Sequence, residues 1–265
     1  MPFVLAPNLW SRLSGRGPRS IAARERAHGD GLLVDLDSPE ALEEVFWRVF
    51  CGRDYLCGDR LVPMTAAPEI REKFARYVGA LLQEAPDKRY LSKNNNNVLR
   101  LPSIAAAFPQ AVILVPFREP LAQAGSLFRQ HRRFCSPEHD GAFTRRYMGW
   151  LGHHEFGPGH RPFDFDGSLP QGDPTAGADY WLQQWIAVYR FLLKAAPPQA
   201  VFVSYERLCA ETGLVWPTLC DRMALPALEP TEALRLPQQP RPLCTDTALQ
   251  EEADALHARL LARAL

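Results

Sequence analysis

Apolar positions recur at three- and four-residue spacing over several stretches of the chain, and two short runs break that rhythm. Leu42, Val45, Phe46 and Phe50 fall on one helical face. Before them stands Ser38-Pro39-Glu40, which supplies an N-cap, a proline at the first helical position and an acidic first turn. Ile70, Phe74, Val78, Leu81 and Leu82 form a second stripe, predicting a helix over 67–84. Residues 98–108 (VLRLPSIAAAF) predict a helix in spite of Pro102. Pro120 opens another, with Leu121, Gly125 and Phe128 facing a sheet. Residues 180–195 predict a strongly apolar helix, and Leu249, Leu256, Leu260 and Leu261 mark a last one from Thr247. The interruptions are 111–117 (AVILVPF) and 200–208 (AVFVSYERL). Continuous β-branched apolar runs of this kind are expected of strands buried on both faces. Arg89–Ser92 reads as a further short strand leading into Lys93.

Strand, helix, strand, helix, helix, strand is the alternation of an α/β fold, a parallel sheet with helices on its faces. The chain of 265 residues is expected to form a single domain. Within it, 1–30 are irregular, 31–134 form the core, 135–179 make a long loop or lid, and 180–265 carry the C-terminal helices and strand. Hydrophobic residues make up 46% of the sequence, enough for a sizeable core, and the formal net charge is +0. That balance gives no electrostatic argument for a nucleic-acid partner. No stretch approaches the roughly 20 apolar residues of a membrane span. The N-terminus lacks the features of a secretory signal, and no Cys-x-x-Cys pair occurs among the 6 cysteines, so free thiols in the cytoplasm are expected.

The chemistry centres on Arg118, which follows AVILVPF directly and so stands at the carboxyl end of a strand, where open α/β sheets bind ligands. Ser126 follows on the next helix. A guanidinium fork and a hydroxyl converging there suit one anion. The alternative is a surface arginine paired with Glu119 and a solvated serine.

Arg118-Glu119-Pro120 with Ser126 resembles the R-[DE]-P-x5-S element of sulfotransferases. Phe108-Pro109-Gln110-Ala111, Leu91-Ser92-Lys93-Asn94 and Val203-Ser204-Tyr205-Glu206-Arg207-Leu208 resemble other elements of that family in the same order, although Arg207 departs from the usual acid. The resemblance covers 90–132 well and the remainder loosely. It implies a P-loop NTPase-like parallel sheet and 3'-phosphoadenosine 5'-phosphosulfate (PAPS) as co-substrate, with no metal. Arg118 and Ser126 would hold the 3'-phosphate. Lys93 would stand near the transferring sulfuryl group, offsetting charge on the leaving oxygen. Tyr205 would pack near adenine. The bland alternatives are a solvated loop lysine at Lys93 and a core tyrosine with a satisfied hydroxyl at Tyr205. The acceptor would be a small molecule, glycan or lipid carrying a hydroxyl or amine.

The family's strand–GxxRSGTT–helix element, which holds the 5'-phosphosulfate on backbone amides, has no convincing counterpart. Gly15-Arg16-Gly17-Pro18-Arg19-Ser20 lacks both the strand before it and the Gly-Thr-Thr after it. The chain is therefore expected to be truncated at its N-terminus, with strand edges left for a partner, a second copy included. A non-catalytic remnant that binds nucleotide or a protein is the competing reading. A kinase is disfavoured by the lack of G-x-x-x-x-G-K-[ST].

Other groups stay open. The run Asn94–Asn97 predicts either a tight turn or a set of amides lining the phosphosulfate or acceptor pocket. Glu25, His28, His153, His154 and Glu155 are all candidates for the general base. The paired histidines at 153–154, with His160, lack the spacing of a metal helix. Arg129, His131, Arg132 and Arg133 make a basic cluster beside the candidate phosphate site; they read first as the solvated end of a helix, where cations are favoured, with a nucleotide-facing role as the alternative.

Overall fold

The computed structural model describes residues 24–25, 33–34, 43–83, 87–136, 152, 154–226, 234–236, 244 and 246–265. The chain divides into two compact units, Met1–Ala107 with Arg132–Arg161, and Phe108–His131 with Pro162–Leu265. The segments Ser38–Glu40 and Gly15–Ser20, read above as a helix start and a loop, lie outside the described residues.

In the first unit, β1 (Arg24–Glu25) pairs antiparallel with β2 (Leu33–Val34). Helix α1 (Glu43–Tyr55) runs into a small antiparallel pair, β3 (Leu56–Cys57) and β4 (Arg60–Leu61), turned at Gly58 with φ 62. Helix α2 (Pro68–Leu82) buries Phe74, Tyr77 and Val78, the stripe its sequence predicts. Phe74 meets Trp47 of α1 with ring centroids 4.4 Å apart. A 3-10 turn at Asn95–Arg100 continues into α3 (Leu101–Ala107). Pro102 falls in the first turn of α3, where a missing N–H costs no helical hydrogen bond.

Arg89–Ser92 is not a strand: it carries no regular structure, and Leu91 is 90% exposed. The segment is tied by a side chain instead, Tyr90 donating its hydroxyl to Glu43 Oε2 at 2.8 Å. Four residues with one inward-facing ring supply no ladder partner.

The second unit holds a parallel pair at the two apolar runs, but the second run is a strand only to Ser204: the Ser204 side chain caps a helix there by accepting from Arg207 N–H, so 205–208 are helical. Strand β5 (Ile113–Phe117) lies parallel to β6 (Ala200–Ser204), with Phe117 opposite Ser204. Helix α4 (Pro120–Phe134) leaves the end of β5, and most of it belongs to this unit. Helix α5 (Asp179–Ala195) precedes β6; α6 (Tyr205–Ala210) and α7 (Thr212–Arg222) follow it, and α8 (Thr247–Arg263) comes last. The described fold is mixed α/β, mostly helical around a small parallel sheet.

Burial of β5 on both faces is corrected. Val115 and Phe117 are buried, whereas Val112 and Leu114 are each 40% exposed. Period-two geometry sends alternate residues to opposite faces, and only one face is covered among the described residues. On α8 the buried positions are Ala253, Leu256 and Leu260; Leu261 is 45% exposed, one step round the helix from the packed stripe. Arg190 of α5 pairs with Glu252 of α8. The backbone N–H of Leu265 donates to Phe202 O at 3.0 Å, so the β6 edge away from β5 has a partner.

Residues 154–178 form no helix or extended strand. The part within the second unit is clasped to α5: Phe163 N–H donates to Gln184 Oε1 at 2.8 Å, Gln184 Nε2 returns a bond to Phe163 O at 3.1 Å, and the Trp181 indole donates to Pro174 O at 3.0 Å. Among the described residues no helix is long and apolar enough to cross a membrane.

Candidate functional site

Because β5 and β6 are parallel and in register, both chains leave the sheet at one edge. Arg118 and Tyr205 are the next residues out, side by side. The Arg118 guanidinium lies over the Tyr205 ring, 5.4 Å from its centroid. Arg118 N–H donates to Gln123 Oε1 at 3.2 Å. The same oxygen accepts from the Trp185 indole at 3.1 Å and the Tyr189 hydroxyl at 3.3 Å. Tyr189 also donates to Pro116 O at 2.9 Å, so the strand end is held from the α5 side. One side-chain oxygen thus fixes where the Arg118 backbone stands.

The expected alternative, Arg118 paired with Glu119, is not what the structure contains. Glu119 turns to the start of α4, where its two oxygens accept from Leu121 N–H at 3.3 Å and Ala122 N–H at 2.8 Å. Glu206 accepts from Glu119 N–H at 3.0 Å and from the Ser204 hydroxyl at 3.4 Å. Both carboxylates of this edge are therefore engaged by backbone N–H groups or by a hydroxyl. Arg118 Nε is buried without a hydrogen-bond partner, and among the described residues the guanidinium has no carboxylate within ion-pairing distance. A half-buried cation with a spare donor is equipped to take an anion.

Ser126 stands half-buried on α4. Arg129, three residues further on, shares its helical face. Burial lowers the Arg129 pKa, and the positive charge of Arg118 adds to the effect. The sequence favours a solvated helix end for Arg129, with a nucleotide-facing role as the alternative; the structure leaves it half-buried.

Tyr205 donates its hydroxyl to Arg235 O at 3.0 Å, and Arg118 covers its ring. Burial is the largest cause of a raised Tyr205 pKa, followed by a hydrogen bond with Cys209. The ring supports the arginine. His257 of α8 lies behind the same edge, with its ring edge-on to Phe117 (centroids 5.8 Å) and Trp185 (6.3 Å). Its Nε2 is buried without a partner. Burial lowers the His257 pKa against the opposing pull of Glu206 and Glu119. Nothing in the helical pattern around residue 257 announces this placement.

Lys93 belongs to the first unit. It is exposed, and its Nζ donates to Asn95 Oδ1 at 3.1 Å. The asparagine run does make a turn, with Asn94 Oδ1 capping the 3-10 segment by accepting from Asn96 N–H at 3.0 Å. Its amides are otherwise committed to α1 and to residues 152–155. Asn94 Nδ2 donates to Glu44 Oε2 at 2.7 Å, Asn97 Nδ2 to Glu43 Oε1 at 3.0 Å, Asn96 Nδ2 to Gly152 O at 3.2 Å and Asn95 Nδ2 to Glu155 Oε1 at 3.0 Å. Glu44 also receives the Tyr55 hydroxyl at 2.6 Å and Arg100 Nη2 at 2.8 Å. Arg100 is fully buried between the rings of Trp47 and Tyr55, 5.0 Å from each centroid. Through Asn94 the turn is tied to the buried Glu44–Arg100 pair.

Of the general-base candidates, the side chains of Glu25, His28 and His153 lie outside the described residues. His154 is buried, with Nδ1 against Gly159 O at 3.0 Å and its pKa lowered mainly by burial. No family model matches the chain, and no curated protein or solved structure matches it either.

Proposed function

We propose that the second unit binds the 3'-phosphate of PAPS at Arg118 and Ser126, on a P-loop-like scaffold, and that the chain is a sulfotransferase-like protein. One observation carries this reading: a guanidinium at the carboxyl end of a parallel strand, buried at Nε, with no carboxylate partner among the described residues. That is the position at which α/β sheets receive nucleotides. In the reaction so implied, an acceptor hydroxyl or amine attacks sulfur. The bond from sulfur to the bridging oxygen breaks, its electron pair leaves with the 5'-phosphate, and the acceptor's proton passes to a base. Lys93 would neutralise charge on the leaving oxygen. The free cysteines suit a reducing compartment.

A second reading, nucleotide binding without transfer, is favoured by Lys93 itself. It stands in an irregular segment, not at a strand end, with its ammonium held by Asn95.

Calorimetry with 3',5'-adenosine bisphosphate on the wild type and Arg118→Ala tests the anchor, and equal affinity for both refutes it. Transfer of labelled sulfuryl from PAPS to a panel of phenols, amines and sugars then separates the two readings. Tight binding with no transfer to any acceptor selects the second.

A further inference from the structure

Asn95 bonds a cation with one end of its amide and an anion with the other. Its Oδ1 accepts from Lys93 Nζ at 3.1 Å, and its Nδ2 donates to Glu155 Oε1 at 3.0 Å. All three residues belong to the first unit. Lys93 and Asn95 are exposed and Glu155 is half-buried, so both charges can be reached from solvent. The backbone beneath them is fixed on both sides. Asn94 and Asn97 donate to the buried Glu43 Oε1 at 3.2 and 3.0 Å, which holds the turn to α1. Asn96, only 2% exposed, donates to Gly152 O at 3.2 Å, three residues before Glu155. His154, beside Glu155, is buried with Nδ1 against Gly159 O at 3.0 Å. Two bonds therefore join the turn to residues 152–155, one from Asn95 and one from Asn96, and the carboxylate's placement does not hang on a single exposed side chain.

In an in-line transfer the entering and leaving atoms lie on opposite sides of sulfur. A base at the entering atom and a cation at the leaving oxygen must stand apart, because a direct ion pair would neutralise both. A carboxamide between ammonium and carboxylate meets that need. We propose that Glu155 is the general base that takes the acceptor's proton, and that Asn95 is the positioning residue that sets its carboxylate relative to the Lys93 ammonium. The assignment rests on the proposed function. As the acceptor oxygen or nitrogen bonds to sulfur, its proton passes to Glu155. The bond from sulfur to the bridging oxygen breaks, and that oxygen keeps the electron pair on the 5'-phosphate, offset by Lys93. Sulfated acceptor, 3',5'-adenosine bisphosphate and a protonated Glu155 result, and water takes up the proton. An acceptor that is already an anion needs no base, so the two side chains make separable contributions: Glu155 serves acceptors that still carry their proton, and Lys93 serves all of them.

The test is transfer from PAPS at pH 8 to phenol, which keeps its proton there, and to 4-nitrophenol, which is largely ionised. Wild type, Glu155→Gln, Lys93→Ala and Asn95→Asp are compared. Glu155→Gln is expected to lower kcat/KM for phenol by roughly 10²–10⁴-fold, the scale of general-base catalysis, and for 4-nitrophenol by far less. Lys93→Ala should slow both acceptors alike. Asn95→Asp keeps an acceptor for Lys93 and turns a like charge on Glu155, so it should follow Glu155→Gln with a smaller loss. Calorimetry with 3',5'-adenosine bisphosphate and thermal melts should match wild type for Glu155→Gln, which shows that it folds. If Glu155→Gln slows both acceptors equally, or slows neither, the base assignment is overturned and the transfer reading stands, because a structural role does not sense the acceptor's proton. If wild type transfers to no acceptor of the panel above, the transfer reading falls and the assignment with it. The pair itself is tested without turnover: a water-soluble carbodiimide should join Lys93 Nζ to the Glu155 carboxyl as an amide, read by peptide mass spectrometry. Absence of that link in wild type would overturn the pairing whatever the protein transfers.

Discussion

The Arg118 guanidinium rests on the Tyr205 ring at 5.4 Å, and the two residues stand one step beyond the paired ends of β5 and β6. The ring's negative face holds the cation in place before any ligand arrives. Tyr205→Phe keeps that face and loses the hydroxyl's bonds to Arg235 O and with Cys209; Tyr205→Leu loses the face as well. Calorimetry with 3',5'-adenosine bisphosphate should give near-wild-type affinity for Tyr205→Phe. Tyr205→Leu should bind about 2–5-fold more weakly, the scale of an exposed cation–π contact. Equal losses in both variants would instead assign the role to the hydroxyl.

Gln123 collects three donors on one oxygen, from Arg118, Trp185 and Tyr189. Replacing it by leucine leaves the Trp185 indole without its partner, while Tyr189 retains Pro116 O. A stability loss of about 1–3 kcal/mol is expected in urea titrations, the cost of orphaned buried donors. Anion affinity should fall with it, because the Arg118 backbone loses its anchor.

Glu44 and Arg100 form a fully buried pair in the first unit, 2.8 Å apart. Removing one partner strands the other: Glu44→Ala should cost about 3–5 kcal/mol by denaturant unfolding. The double variant Glu44→Met with Arg100→Met should cost much less than the sum. Additive losses would show that the two charges are not coupled.

Gly152 and Gly79 should respond oppositely to alanine. Gly152 has φ 72, and a Cβ there would sit 2.6 Å from Glu44 Cγ, so Gly152→Ala should destabilise by at least about 1 kcal/mol. Gly79 lies within α2 with nothing within 4 Å of such a Cβ, and Gly79→Ala should stabilise by about 0.5–1 kcal/mol. Thermal melts of the two single variants check both signs.

Burial lowers the pKa of His131, His154 and His257 below the ordinary value of 6.5. The unfolded chain therefore takes up these protons at a higher pH than the folded protein does. The stability of the neutral folded forms is complete above 6.5 and is lost as pH falls through that value toward the depressed folded ones. Denaturant midpoints should drop between pH 7 and 5, and His257→Phe should flatten part of that slope.

Periodicity located the helices with a buried stripe, because such a stripe repeats whatever lies against it: Phe74 and Val78 on α2, Leu256 and Leu260 on α8. It missed α6 and α7, one with no buried residue and the other interrupted by Pro217. The apolar runs gave the parallel pair and placed Arg118 at a strand end. They could not tell one covered face from two, since Val112 and Leu114 are as apolar as Val115 and Phe117. The asparagine run could not announce its partners, because Glu43 and Glu44 stand some 50 residues away in sequence. Arg129 was hidden by ambiguity: arginines near a helix C-terminus are favoured for local reasons, and only the fold reveals which one shares a field with Arg118.

Trp47 lies fully buried against Arg100 and Phe74 in the first unit, while Trp181 and Trp185 are buried on α5 in the second. The chain holds 6 tryptophans. With the other five replaced by phenylalanine, emission from Trp47 alone would follow the first unit, and emission from Trp185 alone, hydrogen-bonded to Gln123, would follow the strand end that carries Arg118.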